Sequence, residues 1–274
     1  MSNFCCPVCG KRLFAEGKSL YCENRHCYDI SRSGYVNLLQ SQRQADKRHG
    51  DDRLMVRARR AFLDKGYYKP LLSRLQETIS KYAFDGCRIF DAGCGECWYT
   101  SNIYEYLSGK GIKSVMFGAD ISKDTLAAGA KRGAAIELAV ASVFHLPIVN
   151  NYCNIVLSIF APFCAEEFAR VLADNGIIIR AYVLERHLLS LKKAVYDEVY
   201  ENNPEDMEIA GFRIIDRQEI RGIIHLGCNE DIMNLFSMTP YYYKTGAADQ
   251  EKLKRLDELD TEIEFGILTY KKNS

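Results

Sequence analysis

Nothing in the sequence approaches the run of ~20 apolar residues that crosses a bilayer. No charged-then-apolar leader precedes the first cysteines. These absences weigh against a membrane or exported protein and set the expectation of a cytoplasmic one with no membrane partner. Net charge is missing too, since 36 Lys and Arg meet 36 Asp and Glu. Any attraction to a polyanion must therefore be local. There is no internal repeat, which argues against a solenoid. What remains is an ordinary globular composition, 47% hydrophobic and 26% charged, in 274 residues. That length buries a full core and suggests one or two domains.

The zero net charge conceals an asymmetry. Residues 1–60 carry twelve Lys/Arg against six Asp/Glu, and the remainder carries the matching acidic excess. A basic N-terminal segment on an acidic body is expected of a nucleic-acid-binding appendage; the plainer alternative is a solvated basic face. Lys47, Arg48, Arg53, Arg57, Arg59 and Arg60 crowd together. In a helix starting at Arg53, residues Arg53, Arg57 and Arg60 share one face while Leu54, Ala58 and Phe62 pack inward. Lys47, Arg48, Arg53 and Arg57 are the candidate phosphate contacts.

Cysteine, by contrast, is plentiful, at eleven residues. In a chain read as intracellular these are thiols or metal ligands rather than disulfides. Cys87, Cys94, Cys153, Cys164 and Cys228 stand in apolar or turn surroundings and read as small buried hydrophobes. The first 30 residues hold a cluster: Cys6-Pro-Val-Cys9, then Cys22-Glu-Asn-Arg-His26, with Cys5 and Cys27 beside it. A Cys-x-x-Cys knuckle aims two thiolates at one point, and a second pair completes a zinc tetrahedron. Cys6, Cys9, Cys22 and His26 are the expected ligands, with Cys27 as the alternative to His26. Four protein ligands leave no open position, so the zinc would be structural.

The chain is organised around residues 88–100. Arg88-Ile-Phe90 ends a strand, Asp91 follows, Gly93 and Gly95 break the pattern, and Trp98, Tyr99, Ile103 and Tyr106 recur at helical spacing. Strand, glycine turn and helix open a nucleotide-binding β-α-β unit. A third glycine is absent; Cys97 stands in its place. The next strand, Val115–Asp120, ends in an acid. Asp120 lies 25 residues after Gly95, near the ~20-residue offset at which an acid meets ribose hydroxyls. Further strands are expected at 136–140, 154–160 and 177–182, with helices between, then a helix at 188–200, a strand at 212–217, a helix at 231–236 and a strand at 264–270. The fold class is therefore α/β: a small zinc ribbon (1–38), a basic helical linker (39–84) and a doubly wound Rossmann-like domain (85–274).

Asp91-x-Gly93-x-Gly95 resembles motif I of the S-adenosylmethionine-dependent methyltransferases. The match then narrows. The zinc cluster, Gly34-Tyr-Val-Asn-Leu-Leu39, Gly50-Asp51, Ala58-Arg-Arg-Ala-Phe-Leu63, Asp91-Ala-Gly-Cys-Gly-Glu96, Ala161-Pro162, Arg186-His-Leu188 and Met238-Thr-Pro240 occur in this order. Together they resemble the bacterial 23S ribosomal RNA guanine-N1 methyltransferases with an N-terminal zinc ribbon, over essentially the whole chain. The sequence departs from that family at Tyr182–Glu185, at Leu172–Gly176 and at Cys97. The first departure lies beside the expected substrate site and bears on the choice of target.

The resemblance implies a cytoplasmic homodimer that uses S-adenosylmethionine and structural zinc to methylate a guanine in a 23S hairpin; some members confer macrolide resistance. Asp91, Gly93 and Gly95 would shape the methionine and ribose end of the cofactor, Asp120 would bind the ribose hydroxyls, and Ser142 would lie near adenine. Guanine N1 must lose a proton, so His187 is the candidate base and Arg186 the candidate partner of O6. Two other classes remain open: a methyltransferase acting on tRNA or a small molecule, and a non-catalytic RNA-binding relic of the fold.

Overall fold

The computed structural model describes residues 1–40, 51–133, 135–204 and 207–273. The N-terminal ribbon is a three-stranded antiparallel sheet of β1 (Leu13–Glu16), β2 (Ser19–Cys22) and β3 (Cys27–Asp29). Next comes β4 (Tyr35–Asn37), at the end of the segment assigned to the ribbon. It pairs in parallel with β7 (Glu137–Val140) and so belongs to the large sheet. The apolar run at 35–39 is thus a strand, and the expected boundary at 38 falls just past it.

Two helices follow, α1 (Arg53–Asp64) and α2 (Lys69–Ser80). Asp52 caps α1, accepting the Met55 N–H at 3.0 Å, and Pro70 opens α2. The large sheet then builds up from β5 (Arg88–Ala92), β6 (Val115–Asp120), β7, β8 (Cys153–Ile159), β9 (Leu172–Val183), β10 (Phe212–Leu226) and β11 (Leu259–Lys272). Strand order across it is β10-β11-β9-β8-β5-β6-β7-β4. All neighbours pair in parallel except β11, which runs against both β9 and β10. The order reverses between β5 and β8, and in open α/β sheets ligands bind at the carboxyl ends of the strands at such a point.

The two faces of this sheet are covered differently. One is packed by α1, α2, α3 (Trp98–Gly109), α6 (Leu189–Val195), α7 (Asn229–Ser237) and α8 (Ala247–Lys254), whose apolar residues share one cluster with Ile89, Ile155 and Ile179. The helix α4 (Lys123–Gly129) follows β6. On the other face, among the described residues, only α5 (Ala165–Val171) is helical. The β7-to-β8 connection contains no helix, and the zinc ribbon fills that place. Phe4, Leu13 and Leu20 of the ribbon share a core with Phe90, Phe117 and Val143. Phe4 meets Phe117 edge-to-face at 5.6 Å. Glu137 accepts the Asn3 backbone N–H at 2.8 Å and its side-chain amide at 2.7 Å. The ribbon is therefore a structural layer of the sheet.

Three expectations in the C-terminal third change. The helix expected at 188–200 stops at Val195, because Asn202 pulls the chain back: its amide donates to the carbonyls of Leu184 (2.9 Å) and His187 (3.2 Å). β10 runs on to Leu226, well past Arg217, as a polar edge strand held by pairing with β11. α8 is an addition whose sequence, AADQEKLK, carries a single buried apolar residue, Leu253.

Candidate functional site

The ligand atoms of Cys6, Cys9, Cys22 and His26 lie within 4.8 Å of one another. His26 Nδ1 is 3.4 Å from both Cys6 Sγ and Cys22 Sγ, and Cys9 Sγ is 3.6 Å from Cys22 Sγ. A tetrahedral zinc has ligand-to-ligand edges of about 3.5–3.8 Å, so these atoms already stand at the corners. Cys27 is exposed and outside the group, which favours His26 of the two alternatives. Tyr28 places its hydroxyl 3.0 Å from Cys6 Sγ, as an outer partner that would orient the thiolate.

The second site is a cleft of about 790 Å³ at the switch point. Its floor is the β5-α3 turn with Asp91, Gly93 and Gly95; its sides are Asp120–Ile121 after β6 and Ile159–Pro162 after β8. Gly93 has φ +80°, and an added Cβ would stand 2.5 Å from the Ala161 Cβ, so only glycine lets the two loops meet. Gly95, at φ +53°, donates its N–H to Asp120 Oδ2 at 3.0 Å. Cys97 adopts φ +61°, the left-handed conformation of the glycine it replaces, with its thiol buried against Leu126, Leu138 and Val140. Glu96, which lines the cleft, pairs with Arg132 (2.6 Å), which also reaches Asp64 of α1 at 2.9 Å. The turn is thereby fastened to the helix above it.

Asp91 is fully buried. Its Oδ2 accepts from the Thr100 hydroxyl at 2.6 Å, while Oδ1 has no partner among the described residues. Burial, opposed by that hydrogen bond and reinforced by the nearby Asp120 charge, pushes its carboxyl up to about 7. Such a group calls for a cation. Asp120 is raised as well, chiefly by burial; its Oδ1 accepts the Ser122 N–H (2.8 Å) and the Thr125 hydroxyl (3.2 Å).

The other expected residues fall into three groups. Ser142 lines an adjoining groove between ribbon and sheet, which shares Ile121 with the cleft. His187 does line the cleft, but its Nδ1 accepts the Glu264 N–H at 3.2 Å and its Nε2 faces the Tyr68 hydroxyl at 3.3 Å. Burial, with help from Lys192, lowers its pKa to about 3. Neither nitrogen is free to take a proton, so the geometry corrects the expectation of a general base. Arg186 is exposed and outside the cleft, which removes it from O6. Arg53 and Arg57 are exposed on α1; Arg53 pairs with Asp124 at 3.1 Å. Leu54, expected inside, is 47% exposed, and Met55 takes its place in the core. Lys47 and Arg48 lie outside the described residues.

The cleft's upper walls come from residues not singled out by their local sequence: Arg59, Tyr68, Tyr99, Phe160, Arg180, Asn202 and Met238–Tyr241. One signal was available. Asp51, Arg59, Ala161-Pro162 and Met238-Thr-Pro240 belong to the ordered blocks that carried the family resemblance, and the fold gathers all of them here.

Comparison with known proteins agrees with both sites. Residues 4–47 match the family model described as RlmA, N-terminal, and residues 90–180 the model described as Methyltransferase domain. The 23S rRNA (guanine(748)-N(1))-methyltransferase of Streptomyces fradiae is 32% identical over 69% of this chain and 66% of its own length. YxjB of Bacillus subtilis (strain 168), provisionally described as a 23S rRNA (guanine-N(1)-)-methyltransferase, is 28% identical over 97% of this chain and 96% of its own. Among solved structures, the YcgJ protein of Bacillus subtilis has a TM-score of 0.49 at 12% identity, covering 74% of this chain and 98% of that one. The cysteine-histidine cluster, the nucleotide cleft, the two family models and the aligned methyltransferase sequences place the chain in one family: it belongs to the zinc-ribbon S-adenosylmethionine-dependent methyltransferases that include the 23S rRNA (guanine-N1)-methyltransferases.

Proposed function

We propose that this chain methylates N1 of a guanine in a hairpin of 23S ribosomal RNA, in the cytoplasm and as a homodimer. The observation that carries this reading is the double use of α1. Its Met55, Arg59 and Leu63 line the cleft, while Arg53 and Arg57 are exposed on the same helix. A single element thus carries exposed basic residues that could meet phosphate and also forms part of the wall of a cofactor site. The Bacillus subtilis relative provisionally described with this activity aligns over 97% of this chain, ribbon and catalytic domain together, and no described helix is long and apolar enough to cross a membrane.

The residues present fit S-adenosylmethionine. The unpartnered Asp91 Oδ1 suits a cationic methionine end, and the bare backbone at Gly95, with open space where a Cβ would stand, allows close approach. Asp120 would take the ribose hydroxyls on the lone pairs its present partners leave open, and Ile121 and Ser142 would flank adenine. The cofactor, when bound, supplies a sulfonium methyl group open to in-line attack by a nitrogen. The chain's own part is positioning and charge. Arg59 and Arg180, rather than Arg186, line the cleft, and their charge favours the anion that forms as guanine loses its N1 proton. His187, locked between Tyr68 and Glu264, fixes the loop after β9. In the ribbon Cys6, Cys9, Cys22 and His26 would hold zinc.

Mass spectrometry of 23S RNA from cells with and without the gene tests the substrate: a methylguanosine lost on deletion is expected. An unchanged 23S pattern with a change in tRNA would overturn it. Sedimentation of the purified protein tests the dimer.

A further inference from the structure

Phe160 sits at the carboxyl end of β8 with φ +54°. A bulky aromatic residue in that conformation is strained, and strain persists where surrounding structure enforces it. Here the Phe160 N–H donates to the Ala181 carbonyl at 3.1 Å, and the following residue, Ala161, is pressed against Gly93. The strain brings the ring no burial. Phe160 remains 44% exposed, although it lines the cleft. It is supported from behind by Phe265, at 5.6 Å between centroids, and edge-on by Tyr99, at 6.3 Å. Beside it the Tyr99 hydroxyl lies buried in the cleft wall with no hydrogen-bond partner among the described residues. Burial raises that hydroxyl far above its ordinary pKa, so it stays a donor.

A flat apolar face next to a buried, unsatisfied hydroxyl suits a planar ring with a polar edge, that is, a nucleobase. Two nucleobases enter this cleft on the reading above, the cofactor's adenine and the target. Topology separates them. Asp120 and Ile121 follow β6, on one side of β5, whereas Phe160 follows β8 on the other. Strands lie about 4.8 Å apart, so the two ends are about 10 Å from each other. Adenosine on the Asp120 side leaves Phe160 to the target.

We propose that Phe160 is the platform on which the target base stacks once it leaves its RNA stack, and that the Tyr99 hydroxyl donates to that base's polar edge. This rests on the RNA-methyltransferase reading. Extruding a base costs unstacking, and a stacking partner in the site returns part of that cost.

The experiment compares the full-length wild type with Phe160→Gly, Phe160→Trp and Tyr99→Phe. It measures methyl transfer from labelled S-adenosylmethionine into 23S rRNA from cells lacking the gene, with cofactor affinity by calorimetry and melting temperature alongside. Glycine relieves the positive φ, so Phe160→Gly should melt no lower than wild type while transfer falls at least tenfold and cofactor affinity stays within threefold. Phe160→Trp should keep most of the rate, and Tyr99→Phe should lower it severalfold with cofactor affinity unchanged. Three outcomes overturn the proposal: wild-type transfer by Phe160→Gly, a melting temperature that falls together with its rate, or a matching loss of cofactor affinity, which would give the ring to adenine. Absence of transfer by the wild type would instead remove the 23S substrate reading itself and, with it, the target.

Discussion

The metal cluster and the cleft were assembled in opposite ways. Four ligand residues between positions 6 and 26 form the cluster, brought together by two knuckles and one short hairpin. The cleft draws side chains from Asp51 to Tyr241, contributed by strand ends, two helices and the loops after several strands and helices. The first is local chemistry that spacing alone reveals. The second exists only once the sheet has brought distant segments to one edge. Yet the local site does not stand apart in the structure, because the ribbon shares its core with β5 and β6. Legible from local sequence and independent in stability are different properties.

The largest expected effect tests that distinction. Stripping zinc, or replacing a ligand as in Cys6→Ser, should remove a contribution on the order of 10 kcal/mol to folding. If the ribbon is a layer of the sheet, calorimetry will show the whole chain melting in one transition at lower temperature. Cofactor affinity would then fall in parallel with metal content. Two separate transitions, with cofactor binding intact, would restore the picture of an appendage.

Gly93→Ala comes next, and it acts on the cleft alone. The added Cβ meets Ala161, and the positive φ adds strain of about 1–3 kcal/mol. Cofactor binding should be lost while zinc content stays at wild type; binding within threefold of wild type would mean that the two loops separate easily. Asp120→Asn should be milder, weakening cofactor binding by ~1–3 kcal/mol through loss of a charged acceptor. Equal affinity in calorimetry would leave the acid a purely internal role on Gly95 and Ser122.

Asp91 predicts a pH dependence with a definite sign. Its folded carboxyl titrates near 7, above the ordinary value of 3.8. Between those values the folded protein keeps a proton that the unfolded chain has released. The stability it contributes to the cofactor-free protein is therefore full below the ordinary value and lost as pH rises through 7. A cationic ligand selects the ionised form, so cofactor affinity should climb with pH by up to about tenfold per unit, levelling near 7. Calorimetry from pH 5 to 8 on wild type and Asp91→Asn checks both: a flat wild-type profile would mean that the carboxyl is already ionised without ligand.

The smallest effect concerns α1. With Arg53 committed to Asp124, replacing Arg53 and Arg57 by Gln should lower the salt slope of RNA binding by only about one phosphate contact, 0.7–0.9. A slope unchanged beside a lower melting temperature would assign both residues to the fold.

The sequence by itself determined the metal cluster up to the choice between His26 and Cys27, the strand–glycine turn–helix at 88–109 and the acid after β6, because each depends on spacing within one or two elements. It also carried the α/β alternation, through short β-branched runs separated by helical periodicity. What it did not determine was how the second face of the sheet is covered, since nothing local marks a ribbon as the substitute for a helix. Nor did it reveal how far β10 runs beyond Arg217, because that polar stretch of edge strand is held by its pairing with β11. His187 read as a base from its place after β9. Only the packed structure engages both its nitrogens, with Glu264 and Tyr68, and buries it until protonation is unfavourable. The roof of the cleft was likewise left to tertiary structure. Arg59, Tyr99, Phe160 and Arg180 are ordinary in their own segments, and they acquire chemistry because parallel strands end at one edge and α1 closes over it.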